Sequence, residues 1–479
     1  MQIEKMDADL RLIHNASMQM LEKNGIRVKH PEVLAKIEEC GVRVKGEMAY
    51  ITQDQIEQWV SKAPSRFKLF ARNSAYDIEI GGKQTESAPG FGAPNIIDAH
   101  GGTRPALMAD FVSFLKLFHQ SDFFNINGGV LVQPNDVPLQ SSSALMLYAS
   151  LLYTDKCLMA ATGSKSEIEP LMEMLALVFG GKAALINKPR VITIISLNSP
   201  LQIDRSQLDS LQVYLDYGQP VIFTPGAMTG TTAPVTLAGA TALANAETLA
   251  GIAIAQMIRP GTPVVYGGAA SVTDMRTAGF SSGAPENALF AEYSARLARA
   301  YDLPSRTSGS ISDAQGICVQ TGYESMMNCL TRHQAGQHLS VHAAGLLDAV
   351  NAMSYEKFIV DLEVLGMVKY LMAGMTINEE TLAVDVVNQV GSGGEFLTHK
   401  HTLKHCRTEP FVPGISLRGS AGNPHELQLE LIRQKKNALL ASYCRPALPP
   451  LLDIQLYEYM LDCGFDAEIT AQLHKEKYA

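Results

Sequence analysis

Positive charge is scarce in this 479-residue chain: 39 Lys and Arg against 48 Asp and Glu leave a formal charge of −9. No basic run offsets this, which excludes the electrostatic footprint of a nucleic-acid binder and argues against docking on anionic lipid. Long apolar runs are missing too. Leu171–Gly180 and Leu249–Ile258 are the most apolar stretches, each about half of what a spanning helix needs. Met1–Leu10 carries Glu4, Asp7 and Asp9 and no apolar h-region, so it does not read as a secretory signal and a cytoplasmic location is expected. The seven cysteines are odd in number, scattered, and form no Cys-x-x-Cys, which excludes a disulfide framework. No Gly-x-Gly-x-x-Gly turn follows the first strand, and there is no phosphate-cradling Gly-x4-Gly-Lys-[Ser/Thr] and no Gly-x-Ser-x-Gly elbow. Dinucleotide, phosphoryl-transfer and serine-hydrolase chemistry are therefore disfavoured.

What is present is an ordinary globular balance, 46% hydrophobic and 18% charged, which predicts a well-buried core. The first 85 residues read as a helical cap with a small hairpin, Phe67–Phe70 against Tyr76–Ile80. Short apolar runs then alternate with amphipathic helices. The expected strands are Pro89–Ile97, Phe124–Val132, Cys157–Thr162, Val191–Leu197, Val221–Thr224, Val264–Gly267, Ser305–Ile311 and Leu339–Ala343. Their starts lie roughly 30–45 residues apart, the period of a βα unit. Runs such as Val191-Ile192-Thr193-Ile194-Ile195 suit parallel strands covered on both faces. The reading is an α/β fold, a (β/α)8 TIM-type barrel over 86–375, with the cap at 1–85 and a C-terminal helical extension packed on the barrel at 376–479. An open doubly wound sheet is the competing arrangement.

In such a barrel the site lies where strands end. Those positions hold Asn95 and Asp98, Asn127 and Gln133, Thr162, Asn198 and Ser199, Thr224, Tyr266, Ser312 and Asp313, and His342. The set is rich in neutral hydrogen-bonding groups and poor in charge. Phe91, Phe223, Tyr266 and Phe280 fall close to strand ends, where a cluster of rings can hold a quaternary ammonium by cation–π attraction. Each ring taken alone is also accounted for by core packing. Two histidine groups, His399/His401/His405 with Cys406 and His333/His338/His342, admit a zinc reading. Helix capping and satisfaction of buried polar groups explain them equally well.

Along nearly its whole length the chain resembles the trimethylamine methyltransferase family. The resemblance is carried by Asn95-Ile-Ile-Asp98, Gly102-Thr-Arg-Pro105 and Asp110, by Asn198-Ser-Pro-Leu201, and by Pro260-Gly-Thr-Pro-Val-Val-Tyr-Gly267. It continues through Asp274-Met-Arg-Thr-Ala-Gly279, Ser312-Asp-Ala314, Gln320-Thr-Gly-Tyr-Glu324, His342-Ala-Ala-Gly345, Ser354-Tyr-Glu-Lys-Phe358 and Phe396-Leu-Thr-His-Lys-His-Thr402. Trimethylamine enzymes of that family carry pyrrolysine in the barrel. This chain has ordinary residues through 334–346 and so resembles the branch that demethylates quaternary amines such as glycine betaine, proline betaine or carnitine.

The resemblance implies methyl transfer to the Co(I) corrinoid of a separate partner protein, giving methyl-Co(III) and the demethylated amine. No cofactor would be tightly bound and no metal or catalytic side chain of the chain's own is expected. A quaternary nitrogen leaves as a neutral tertiary amine and needs no general acid, so binding, alignment and desolvation suffice. The expected substrate contacts are Phe91 and Tyr266 for the onium head, helped by Asp313, with Asn198 and His342 or Arg276 for a carboxylate. A homo-oligomer is expected, with no nucleic-acid or membrane partner. The alternatives are a zinc-dependent corrinoid methyltransferase acting on another donor and a non-catalytic betaine-binding barrel.

Overall fold

The computed structural model describes residues 3–419 and 422–475. Eight parallel strand positions follow one another in cyclic order. Glu86–Ser87 pairs with Leu339–Val341, which pairs with Arg306–Ser308. Ser305 bridges to Tyr266 of Val264–Tyr266, which pairs with Val221–Pro225, and that strand with Val191–Leu197. Leu158–Met159 follows, and Cys157 bridges to Ile126. At the remaining junction, between the segments that contain Ile126 and Glu86, one parallel bridge, Ala93 to Val132, joins the strands, with Gly92 N donating to Val130 O and Gln133 N to Ala93 O. Asn125 donates to Glu86, and a Cβ on Gly128 would lie 2.1 Å from the carbonyl oxygen of Gly90.

Helices alternate with the strands from residue 139 onward. They are Leu139–Tyr153, Lys165–Phe179, Arg205–Asp216, Leu237–Ile258, Pro285–Ala300, Val319–Gln334 and Tyr355–Ala373. By length and composition Leu237–Ile258 is the one helix among the described residues that could cross a membrane. Here it is buried from Ala240 to Met257, against Ala8–Lys23, Gln53–Val60 and the strand Val221–Pro225.

The first barrel strand departs from expectation. Its ladder in the ring is short, Glu86–Ser87 on one side and a single parallel bridge from Ala93 to Val132 on the other, because Pro89 has no N–H to give and Gly92 turns the chain at φ +86° between them. Asn95–Ile97 then leaves the ring and pairs with Thr103–Pro105 and Ala352–Met353, forming a small sheet beyond the strand ends. The cap likewise contains a sheet the sequence did not suggest: Ile26–Val28, Arg43–Lys45 and Met48–Tyr50, extended by Gln202–Ile203 from the barrel.

The hairpin Phe67–Leu69/Ile78–Ile80 closes the end of the barrel where the strands begin. Phe67, Leu69, Ile78 and Ile80 join Ile126, Ile192, Ile222, Val265 and Leu339 in one buried cluster. Phe70 N–H bonds to Pro189 O and Cys157 Sγ lies against Leu69 O. Each such side chain contributes about 1.5–3 kcal/mol by leaving water. The lumen is thus solid at one end, and space remains at the strand C-termini. The helices Pro424–Ala441, Pro450–Asp462 and Ala467–His474 return along the outside, anchored by Ile432, Leu456, Met460 and Leu473.

Candidate active site

A small open cavity lies at the C-terminal ends of the strands. The strand Arg306–Ser308 forms one wall. Its alternation puts Arg306 and Ser308 on the same face, and its register sets Ser308 beside Val341, so that the next residue, His342, meets it. Thr224 and Pro225 end the neighbouring strand Val221–Pro225, and Arg332 enters from the helix Val319–Gln334.

The two arginines are buried, at 5% and 2% exposure. Arg306 Nη1 lies 3.5 Å from Thr224 Oγ1, and Arg332 Nη1 donates to the carbonyl and side-chain oxygens of Asn328. The Nε of each is sealed from solvent with no partner. Among the described residues no carboxylate pairs with either, a costly arrangement for buried charge. Burial pushes Arg306 down to about 10. Burial, with Arg306 adding to it, takes Arg332 to about 9. Both remain cations at neutral pH.

His342 sits in the left-handed region at φ +64°, and its Nδ1 is 3.2 Å from Ser308 Oγ. Protein surrounds the ring, yet it keeps accessible surface, as a residue facing an internal space does. Burial first, then Arg306 and Arg332, hold its pKa well below the usual histidine value, so the ring is neutral. Phe91 packs on it with centroids 6.2 Å apart.

The opposite rim is the hairpin Val272–Asp274/Gly279–Ser281, whose Phe280 lines the cavity, with Ser282 just beyond. Asp313 fastens this rim. Its carboxylate accepts from Ser281 Oγ, Ser282 N and Oγ, and Gly283 N at 2.6–2.9 Å. Glu324 in turn accepts from Ser312 Oγ and Asp313 N, and Asn287 ties down Ser281 O. A fixed negative charge therefore stands directly behind Ser282.

The expected residues are distributed unevenly. Phe91 and His342 come together, and Asp313 lies behind the rim. Tyr266 is corrected: its ring faces the helix layer, is fully buried, and its hydroxyl donates to Asn245 Oδ1 at 2.8 Å. Burial holds that phenol far above its usual pKa. Asn198 is an exposed turn residue whose backbone pairs with Gln202, and it lines no wall of the cavity. Arg276 is 89% exposed at the hairpin tip, paired with Asp274. The expected poverty of charge is corrected as well, since two guanidiniums form part of the wall. Arg306 had a signal in the sequence, the one charged residue inside the expected barrel strand Ser305–Ile311. Arg332 had none, because a cation on an amphipathic helix ordinarily faces water.

The histidine groups do not converge on a metal arrangement. His333 Nδ1 faces Cys329 O, and His338 Nδ1 faces Ser305. The rings of His401 and His405 lie 4.5 Å apart between centroids, tilted by 41°. No group of three or more metal-binding side chains occurs among the described residues.

Residues 2–462 match the trimethylamine methyltransferase (MTTB) family. The glycine betaine methyltransferase of Desulfitobacterium hafniense (strain Y51) is 39% identical over 94% of this chain and 95% of its own. The trimethylamine methyltransferase MttB of Desulfitobacterium hafniense (strain DSM 10664 / DCB-2) is 30% identical over 84% and 82%. The proline betaine:corrinoid methyltransferase of Eubacterium limosum is 29% identical over 88% of each chain. With a family match spanning nearly every residue, and a relative this similar from end to end, the chain belongs to the trimethylamine methyltransferase family.

Proposed function

We propose that the chain transfers a methyl group from a betaine, a quaternary amine carrying its own carboxylate, to the cobalt of a corrinoid borne by a partner protein. The observation that carries this is the pair of buried guanidiniums, Arg306 and Arg332, on the cavity wall, with no carboxylate among the described residues pairing with them. A simple cation would be repelled there, and a neutral amine would leave both unpaired. A zwitterion supplies the missing anion at one end. Its other end, permanently cationic, meets the ring of Phe280 and the field of Asp313 behind Ser282.

The chemistry that a partner's corrinoid would supply is a Co(I) electron pair for the methyl carbon. The C–N bond breaks, its pair returns to nitrogen, and a neutral tertiary amine departs. No proton moves, which suits a site whose histidine is held neutral. The chain's own residues do the rest. Arg306 and Arg332 fix the carboxylate, Ser308 orients His342 against Phe91, and Asp313 holds the rim that aligns the onium toward the mouth. The curated relatives named for betaines support this reading over trimethylamine.

The test mixes the protein with a Co(I) corrinoid protein and follows the cobalt spectrum. Glycine betaine, proline betaine, carnitine and γ-butyrobetaine are compared with choline and trimethylamine. One or more betaines should convert, while choline, the same onium without a carboxylate, should not. Equal conversion of choline, or conversion of trimethylamine alone, removes the carboxylate from the argument.

A further inference from the structure

The helix Tyr355–Ala373 follows the last barrel strand and runs from the mouth to the opposite end. There Lys369 lies over the Phe123 ring, and its charge is felt by Glu86 and Asp122, which stand where strands begin. From that end the chain makes an excursion and comes back to the body at Ile415. Between Val368 and Ile415 no residue is buried. The excursion holds three short helices, Glu379–Leu382, Val384–Val390 and Lys400–His405, with no buried residue in any of them. Its surface is nonetheless apolar: Leu382, Val384, Val387, Phe396, Leu397 and Leu403 are all exposed, Leu397 at 79% and Leu403 at 75%. Clustered exposed apolar side chains mark an interaction surface.

Charge along the arm identifies what covers it. Residues 379–395 contain Glu379, Glu380, Asp385 and Glu395 and no basic residue. Residues 396–407 contain Lys400, Lys404 and Arg407 and no acidic one. Glu380 pairs with Lys404 within the arm, so the two halves lie side by side. Glu379, Asp385, Glu395, Lys400 and Arg407 find no ion-pair partner among the described residues. A surface acidic on one half and basic on the other complements itself under a two-fold rotation.

Its size also fits. A standard interface takes roughly 20–30 residues from each side, and the arm offers a run at least that long. The corrinoid partner is a poor occupant, since it must meet the cavity mouth at the other end of the barrel and depart after each transfer.

We infer that the arm is the interface for a second copy of this chain, the acidic half of one arm lying on the basic half of the other. The test is the mass of the full chain in solution, by light scattering after gel filtration and by sedimentation. The wild type should run as a dimer or an even multiple. Leu382→Asp with Leu403→Asp should halve that mass without lowering the body's melting temperature. Lys400→Glu with Arg407→Glu should also halve it, and adding Asp385→Lys with Glu395→Lys should restore it. A wild-type monomer, a mass unmoved by the apolar pair, or charge reversals that the compensating pair does not rescue would each overturn the inference. So would arm variants that keep their mass and lose only binding of the corrinoid protein.

Discussion

Lys156 and Arg306 are both cations taken out of water in the barrel layer, and the protein treats them in opposite ways. Lys156 precedes the strand Leu158–Met159, near the plugged end. It is 3% exposed, and its ammonium donates to the carbonyls of Ser121 and Phe124 at 2.8 and 2.7 Å, with Phe118 O at 3.5 Å. Burial takes it down to about 8. Lys357, fully buried, is likewise satisfied, by Ser310 O and by Asp361. At the mouth, Arg306 and Arg332 keep donors with no acceptor. A buried charge whose hydrogen bonds are complete holds the fold together. A buried charge left incomplete on a cavity wall is what the carboxylate proposed above would complete.

That contrast sets the order of expected effects. The largest is Lys357→Met, which strands the Asp361 carboxylate in the core and should cost about 3–5 kcal/mol, read as a fall in melting temperature. Replacing both members with apolar residues should recover most of it. Next comes Arg306→Leu. A hydrogen bond to a charged group is worth about 1.5–3 kcal/mol, so KM for a betaine should rise by roughly 10- to 150-fold, with kcat little changed. Its melting temperature should hold or rise, because an uncompensated buried charge has gone.

Lys156→Met should do the reverse, leaving two or three carbonyls unmet at about 1–3 kcal/mol and KM alone. If Arg306→Leu unfolds the protein as readily as Lys156→Met, the distinction between the two ends collapses.

Glu247 extends the comparison to an acid. Burial raises its carboxyl to about 7, although Ser199 Oγ and Leu201 N donate to it. A folded-state pKa above the unfolded value gives stability that is full below about 4.5 and lost as pH rises toward about 7. Glu247→Gln should therefore flatten the fall in melting temperature across that window. The smallest effects belong to Asn198→Ala and Tyr266→Phe. Neither should move KM, and Tyr266→Phe should cost about 1 kcal/mol of stability through the bond lost to Asn245. A sharp rise in KM for Asn198→Ala would bring the turn after Val191–Leu197 back into the site.

The repeat of strand and helix was readable because burial on both faces favours near-continuous apolar runs such as Val191–Leu197, and because helices such as Arg205–Asp216 keep one apolar and one polar face. The first strand was misjudged. Pro89 and Gly92 sit inside an apolar-looking stretch, and whether such a stretch pairs depends on which backbone groups face a neighbour. Phe91 and His342 were picked out as residues near strand ends, and the structure packs their rings together beside Ser308. Tyr266 was misplaced, since a strand-end position does not say whether the ring points into the lumen or toward the helices. Arg332 was hidden because its burial comes from elements distant in the chain.

The residue order by itself determined the fold class, the absence of a disulfide framework, and the family, because hydrophobic period, composition and local motifs are properties of neighbours along the chain. The tertiary structure decided which polar groups meet. The packing of the strands and helices brings Arg306 and Arg332, from two separate elements, to one cavity, sets His342 against Ser308 on its wall, and among the described residues pairs no carboxylate with the arginines. It also sends the Leu382–Leu403 arm out from the far end. Satisfaction and burial depend on positions in space that no local pattern encodes.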